Sequence, residues 1–235
     1  MCGRYTLSAP GEVVGELFGL EAVPALAPRF NISPTQEALV VRAAPGGRRS
    51  AEPLRWGLVP PWADDPSVGS RMINARSEGV AEKPAFRSSF KSKRCLVPAD
   101  GFYEWQKLAG GKKQPWHIHL ASGQPFAIAG LWARWTKGEI PLETFTLLTT
   151  APNEVAGRIH DRMPVILAPD EYDRWLDPEL SDPEVLLPLL DAYPAAEMAA
   201  FPVSNRVGSP SQDDPGLVVP LEPVVEKPPA QGSLF

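Results

Sequence analysis

The sequence predicts an α+β fold: a single domain with a mainly antiparallel, barrel-like β core and a few peripheral helices. Three observations carry this. Proline takes 28 of 235 positions, about 12% against a background of roughly 5%, which excludes long helices because proline cannot sit inside them. The apolar runs are short, mostly of strand character, and separated by frequent turn signals. Composition is otherwise ordinary, with 43% hydrophobic and 22% charged residues, enough for a full hydrophobic core.

Taken in order, residues 10–20 (PGEVVGELFGL) read as a helix, with Pro10 at a favourable first position and Val13, Val14, Leu17 and Phe18 at helical spacing. Strands are expected at 37–43 (EALVVRA) and 54–59 (LRWGLV). Asn74 to about Lys83 reads as a helix, with Asn74 as its N-cap. Strands follow at 94–99 (RCLVPA), 101–108 (GFYEWQKL) and 115–120 (PWHIHL), the last two joined by a Gly-rich hairpin turn. Further strands are expected at 125–135, 143–150 and 163–168. Helices at 168–176 and 182–190 place Asp170 and Asp182 near their positive N-terminal ends. The domain is expected to span 1–220, followed by a flexible Pro-rich tail, 221–235.

Net charge is −5, which argues against a polyanion as partner. The charge is uneven, however. Residues 1–120 hold 16 Lys and Arg against 11 Asp and Glu, whereas residues 121–235 hold 7 against 17. The two cysteines, Cys2 and Cys95, exclude a disulfide framework and a four-cysteine zinc site. With neither a secretory signal nor an apolar run of membrane-spanning length, a cytoplasmic, nucleoid-associated monomer is expected.

Several residues carry possible chemistry. Removal of Met1 would leave Cys2 with a free α-amine and a thiol. At reference values roughly a tenth of such an amine is neutral at pH 7 and a few per cent of the thiol is thiolate. A 1,2-aminothiol attacks aldehydes: the amine forms a Schiff base and the thiol closes a thiazolidine ring. A chain end is rarely buried, which weakens the reading of Cys2 as a core residue. Asn74 can cap a helix or orient a reacting group. Glu104 shares a strand face with Phe102, opposite Tyr103 and Trp105. Buried, it would have a raised pKa suited to acid–base work; exposed, it is an ordinary strand residue. His160, bracketed by Arg158 and Arg162, reads as a proton shuttle or a satisfied core histidine. His117 and His119 form an H-x-H pair, but no spacing supplies a third metal ligand, so neither metal nor cofactor is expected. FRSSFKSKR (86–94) mixes Arg87, Lys91, Lys93 and Arg94 with Phe86 and Phe90, either a phosphate-and-stacking surface or a solvated face. Trp56 and Trp62 in WGLVPPW are stacking platforms if exposed and core if buried.

These segments together resemble the SRAP (SOS response-associated peptidase) family. The resemblance runs through MCGRY, RFNISPTQ, RWGLVPPWA, INARSE, RCLVPADGFYEW, LLTTAPN, IHDRMPVIL and PVSNRVGSP, in the family's order. It implies a protein that senses abasic sites in single-stranded DNA and crosslinks to them covalently through Cys2. Cys2 would be the nucleophile and Glu104 would assist proton transfer. His160 would help open the sugar, and Asn74 would hold the Cys2 region. The implied DNA contacts are Arg4, Asn31, Ser33, Pro34, Trp62, Arg76, Arg87, Trp105, Thr149 and Arg162. A cysteine-type peptidase using Cys2, His160 and Glu104, acting at least on its own N-terminus, is the alternative. At the C-terminus, QGSLF resembles a sliding-clamp binding pentapeptide, with Gln231, Leu234 and Phe235 as its contacts; otherwise it is an ordinary frayed end.

Overall fold

Five strands whose side chains are mostly buried close on themselves, and the rest of the chain is arranged around that ring. The computed structural model describes residues 2–25 and 27–221. Among these residues the strands are β1 (Tyr5–Leu7), β2 (Arg29–Ile32), β3 (Glu37–Ala44), β4 (Arg48–Trp56), β5 (Asn74–Arg76), β6 (Arg94–Ala99), β7 (Gly101–Lys107), β8 (Lys113–Leu120), β9 (Phe126–Trp135), β10 (Leu142–Thr150), β11 (Met163–Pro164), β12 (Ile166–Leu167) and β13 (Met198–Pro202). The helices are α1 (Gly11–Phe18), α2 (Arg87–Ser92), α3 (Glu154–Gly157), α4 (Tyr172–Leu176) and α5 (Pro183–Leu186).

One sheet runs β11-β10-β4-β3-β6-β9-β12, and β9 also pairs with β10. The circuit β10-β4-β3-β6-β9 is therefore closed, which removes its free edges. The other sheet is open, in the order β13-β8-β7-β1-β2. Pairing is antiparallel except where β10 meets β4 and β5. The α+β class and the mainly antiparallel, barrel-like core expected of the sequence are those of the structure.

The core is aromatic at its centre. Trp56 lies edge-on to Tyr5 at 5.2 Å and stacks with Phe145 at 6.3 Å. Helix α1 docks through Val14 and Phe18, with Phe18 stacked on Tyr172 of α4 at 5.5 Å. It stops at Gly19, whose φ of 61° is the left-handed cap glycine favours.

Local pattern and tertiary context part at several places. The strand read at 54–59 instead spans β4 and ends at Trp56. Gly57 takes φ 122°, and a Cβ there would lie 2.6 Å from the Gly69 carbonyl oxygen. The helix read from Asn74 is corrected: Asn74–Arg76 is a strand, because β10 offers it a parallel edge, with Asn74 opposite Leu147. The helix begins only at Arg87. The strand read at 163–168 divides into β11 and β12 at Val165, whose N–H donates to the Leu148 carbonyl. Pro188 sits where α5 tightens into a 3-10 turn, so 182–190 is not one helix. Asp182 caps α5 by accepting from the Glu184 N–H at 2.9 Å. Asp170 lies in a 3-10 turn, Pro169–Glu171. Strands β1, β2 and β13 are too short to show periodicity.

The edge strand β2 is finished by a side chain. Asp213 Oδ1 accepts from the backbone N–H of Phe30 (2.5 Å) and of Asn31 (3.0 Å), and Oδ2 pairs with Arg29. The last described residue, Leu221, donates its N–H to the Pro202 carbonyl. The tail positions Gln231, Leu234 and Phe235 lie outside the described residues. No described helix is long and apolar enough to cross a membrane.

Candidate functional site

The site forms where the two sheets meet. Strand β1 pairs antiparallel with β7, Tyr5 opposite Phe102, and the Tyr103 N–H donates to the Arg4 carbonyl. Continuing that register places Gly3 opposite Glu104 and brings Cys2 alongside. From the barrel, β5 presents Asn74, whose Nδ2 donates to the Cys2 carbonyl oxygen at 2.7 Å. From above, the turn after α3 delivers His160, with Nε2 3.9 Å from Glu104 Oε2.

Glu104 is 2% exposed, which excludes a solvent-facing role. Burial pushes its carboxyl above the usual range, and nearby positive charge, including His160, pulls the other way. Its neighbours face as the alternation requires: Phe102 joins the main core, while Tyr103 and Trp105 pack with Val203, Val207 and Leu217. His160 Nδ1 accepts from the Arg162 N–H at 3.1 Å and lies 2.9 Å from Asp161 Oδ1. The first contact fits the neutral ring with its proton on Nε2, facing Glu104. The second fits a ring that carries a proton on Nδ1.

Cys2 is fully buried in the core, contrary to the expectation for a chain end. Burial first, and the Glu104 charge second, push its thiol well above the ordinary cysteine range. The few per cent of thiolate expected at reference values is therefore not what this environment favours.

The proposed DNA contacts divide. Trp62 is 57% exposed, and its loop is tied down by Lys137 Nζ, which donates to the Trp62 carbonyl and pairs with Asp64, both at 2.7 Å. Trp56 is core, its Nε1 donating to the Ile73 carbonyl. Arg76 and Arg87 are exposed; Arg4, Pro34 and Trp105 are partly buried. Asn31, Ser33 and Thr149 do not present their side chains to solvent. Asn31 Nδ2 donates to the carbonyls of Val207, Ser209 and Gln212, and Ser33 Oγ donates to the Asn31 carbonyl. Arg162 is not an open clamp: it grips Glu78 through both terminal nitrogens, at 2.6 and 2.9 Å, and donates to the Thr149 carbonyl. That pairing draws the Glu78 carboxyl down to about 2. The stacking reading of 86–94 is corrected too. Phe86 and Phe90 are core residues, and buried Arg94 donates to the carbonyls of Trp175, Phe90, Lys91, Asp177 and Leu180.

His117 and His119 lie on one face of β8 with rings stacked at 5.6 Å, beside Phe201 of β13. Burial draws His117 down to about 4. Among the described residues no group of three or more His, Cys, Asp and Glu is placed to hold a metal ion. Sequence reasoning missed Glu78 and Asp161. Their signal was adjacency alone, since each falls inside a motif already singled out, NARSE and IHDRMP.

The chain is 44% identical over 222 residues to abasic site processing protein YoqW of Bacillus subtilis, covering 93% of this chain and 99% of that one. It is 30% identical to abasic site processing protein YedK of Escherichia coli, covering 94% and 100%. It is 36% identical to abasic site processing protein HMCES of Gallus gallus, covering 80% of this chain and 62% of that one. A crystal structure from Bacteroides thetaiotaomicron superposes with a TM-score of 0.84 at 27% identity, covering 94% of this chain and 100% of the other. The SOS response-associated peptidase (SRAP) family model matches residues 1–210. With that match spanning most of its length, and the YoqW and YedK relatives covered nearly end to end, the chain belongs to the SRAP family.

Proposed function

We propose that this protein recognises abasic sites in single-stranded DNA and joins itself to them through a thiazolidine at Cys2. The observation that carries the reading is the convergence on Cys2 of Asn74, Glu104 and His160, from three separate elements. The relatives named as abasic site processing proteins support the substrate.

After loss of Met1, the neutral Cys2 amine adds to the aldehyde carbon of the open-chain sugar. The resulting carbinolamine loses water to give a Schiff base. Glu104, whose carboxyl burial pushes above its usual range, donates the proton that lets the hydroxyl depart as water. The neutral thiol then adds across the C=N bond: sulfur bonds to the former aldehyde carbon and the nitrogen gains the proton. One water is lost overall, and no oxidant is needed. His160 relays protons to and from Glu104 and serves sugar opening, while Asn74 keeps the Cys2 carbonyl fixed. A thiol disfavoured as thiolate suits this order, in which the amine acts first. It suits a cysteine peptidase poorly, because that chemistry needs a depressed thiol pKa.

The test is intact mass after mixing the mature protein with abasic single-stranded DNA. The expected product is the sum of the two masses less one water, lost in Cys2→Ala. Full crosslinking by Cys2→Ala would sink the mechanism. The clamp-binding reading of Gln231, Leu234 and Phe235 stays a separate proposal. Equal clamp recovery with and without residues 231–235 would end it.

A further inference from the structure

We infer that Gln106 is a positioning residue for His160, acting through the backbone of the turn that carries it. Gln106 lies on β7 two residues beyond Glu104, so both side chains leave the same face of the strand. Its amide is read unambiguously by its partners. Trp116 Nε1, which can only donate, points at Gln106 Oε1 at 3.1 Å. The Nε2 group is thereby aimed the other way, and it donates to the Arg158 carbonyl at 3.0 Å. Trp116 is itself the cross-strand partner of Glu104. A relay of two hydrogen bonds therefore runs from the strand pair holding Glu104 to a carbonyl two residues before His160.

The rest of the turn shows why this bond matters. Helix α3 has four residues, too few to be stable by itself. Asn153 anchors its start, accepting from the Val155 and Ala156 N–H groups and donating to the Tyr193 carbonyl. Its end has Ile159 buried in the core and the His160 N–H bonded to the Ala156 carbonyl. Beside the turn lies a solvent-open cleft of about 470 Å³, with Gln106, Trp116, Arg158 and Ile159 in its wall. With that space open, the Gln106 bond sets the height of the turn above β7, and so the separation of His160 from Glu104. That separation is 3.9 Å here, a distance at which a small displacement decides whether proton transfer is direct.

The functional part of this inference rests on the crosslinking reading, so the experiment has two arms. In the first, crosslinking to abasic single-stranded DNA is followed at saturating DNA across pH. Gln106→Leu and Gln106→Glu should each slow the reaction about tenfold and change the shape of the pH–rate profile. Affinity for undamaged single-stranded DNA should stay within twofold. Gln106→Glu keeps the acceptor for Trp116 but sets a carboxylate oxygen against the Arg158 carbonyl, so it should slow the reaction at least as much as Gln106→Leu. Trp116→Phe should slow the reaction less, and the Gln106→Leu/Trp116→Phe double variant no more than Gln106→Leu alone. A wild-type rate and profile in Gln106→Leu, or a loss of DNA affinity in step with rate, would overturn the inference. The second arm reads the ring nitrogen signals of His160 by NMR without DNA, assigned with His160→Gln. A changed tautomer pattern or exchange broadening in Gln106→Leu supports the positioning role even if no crosslink forms in the wild type. Unchanged signals overturn it.

Discussion

Arg94 and Glu104 are both charged residues withdrawn from water, 3% and 2% exposed, yet their surroundings differ. At the corner of α2 and β6, the Arg94 guanidinium meets five backbone carbonyls from two stretches of chain, 90–91 and 175–180. Its donors are used, and burial lowers its pKa only to about 10, so it keeps its charge at neutral pH. At the centre of β7, burial outweighs the positive charge around Glu104, and the carboxyl is biased towards its neutral form. A buried charge that is fully met ties elements together. One whose burial outweighs the opposite charge around it costs stability and keeps a proton in play.

The largest expected effect tests the first half of that contrast. Arg94→Met would leave several buried carbonyls without donors, on the order of 3–5 kcal/mol in urea unfolding. A loss under about 1 kcal/mol would show that the carbonyls find water instead. Next come the tryptophans, which extend the contrast from charge to stacking. Trp62→Ala should weaken single-stranded DNA binding by about 1–3 kcal/mol without moving Tm. An unchanged affinity would remove Trp62 from the interface.

Glu104→Gln tests the other half. The folded-state pKa is raised, so the folded state is favoured while Glu104 is protonated and loses ground as pH rises through that value. The variant should therefore be more stable than wild type at pH 8, by on the order of 1–2 kcal/mol. The difference should shrink as pH falls towards 4, while crosslinking slows at every pH. A variant less stable at pH 8 would mean the carboxylate is better met than the contrast supposes. The smallest effect concerns Glu78, whose pKa is depressed to about 2 by Arg162. Its stabilisation is present above the unfolded carboxyl value and fades as pH falls towards 2. Because the Glu78 side chain is 59% exposed, Glu78→Gln should cost less than about 1 kcal/mol at pH 7. By releasing Arg162 it should also steepen the salt dependence of DNA binding.

The barrel strands were legible because they are short, nearly unbroken apolar runs bounded by turn signals, as in RCLVPA and PFAIAGLWARW. NARSE was misread as the start of a helix because its preference for strand comes from β10, not from its own side chains. Glu104 could be picked out by its aromatic flanks, but its burial is a property of the assembled sheets. A run of cations gives no sign of which side faces inward. The same pattern thus covered Arg94, an internal strut, and Arg87, an exposed side chain. Residue type identified the chemistry at Cys2, whereas its burial follows from the β1–β7 register.

The carboxylate that finishes β2 has a consequence for how the chain can be shortened. By accepting from two successive N–H groups, Asp213 occupies donors that an incoming strand would otherwise take. The residue lies 183 positions downstream of Phe30 in the strand it guards, close to the end of the described chain. A version truncated before Asp213 would keep the barrel and every residue of the site. It would also expose a bare strand edge, and self-association through that edge, more than loss of chemistry, should be its first failure.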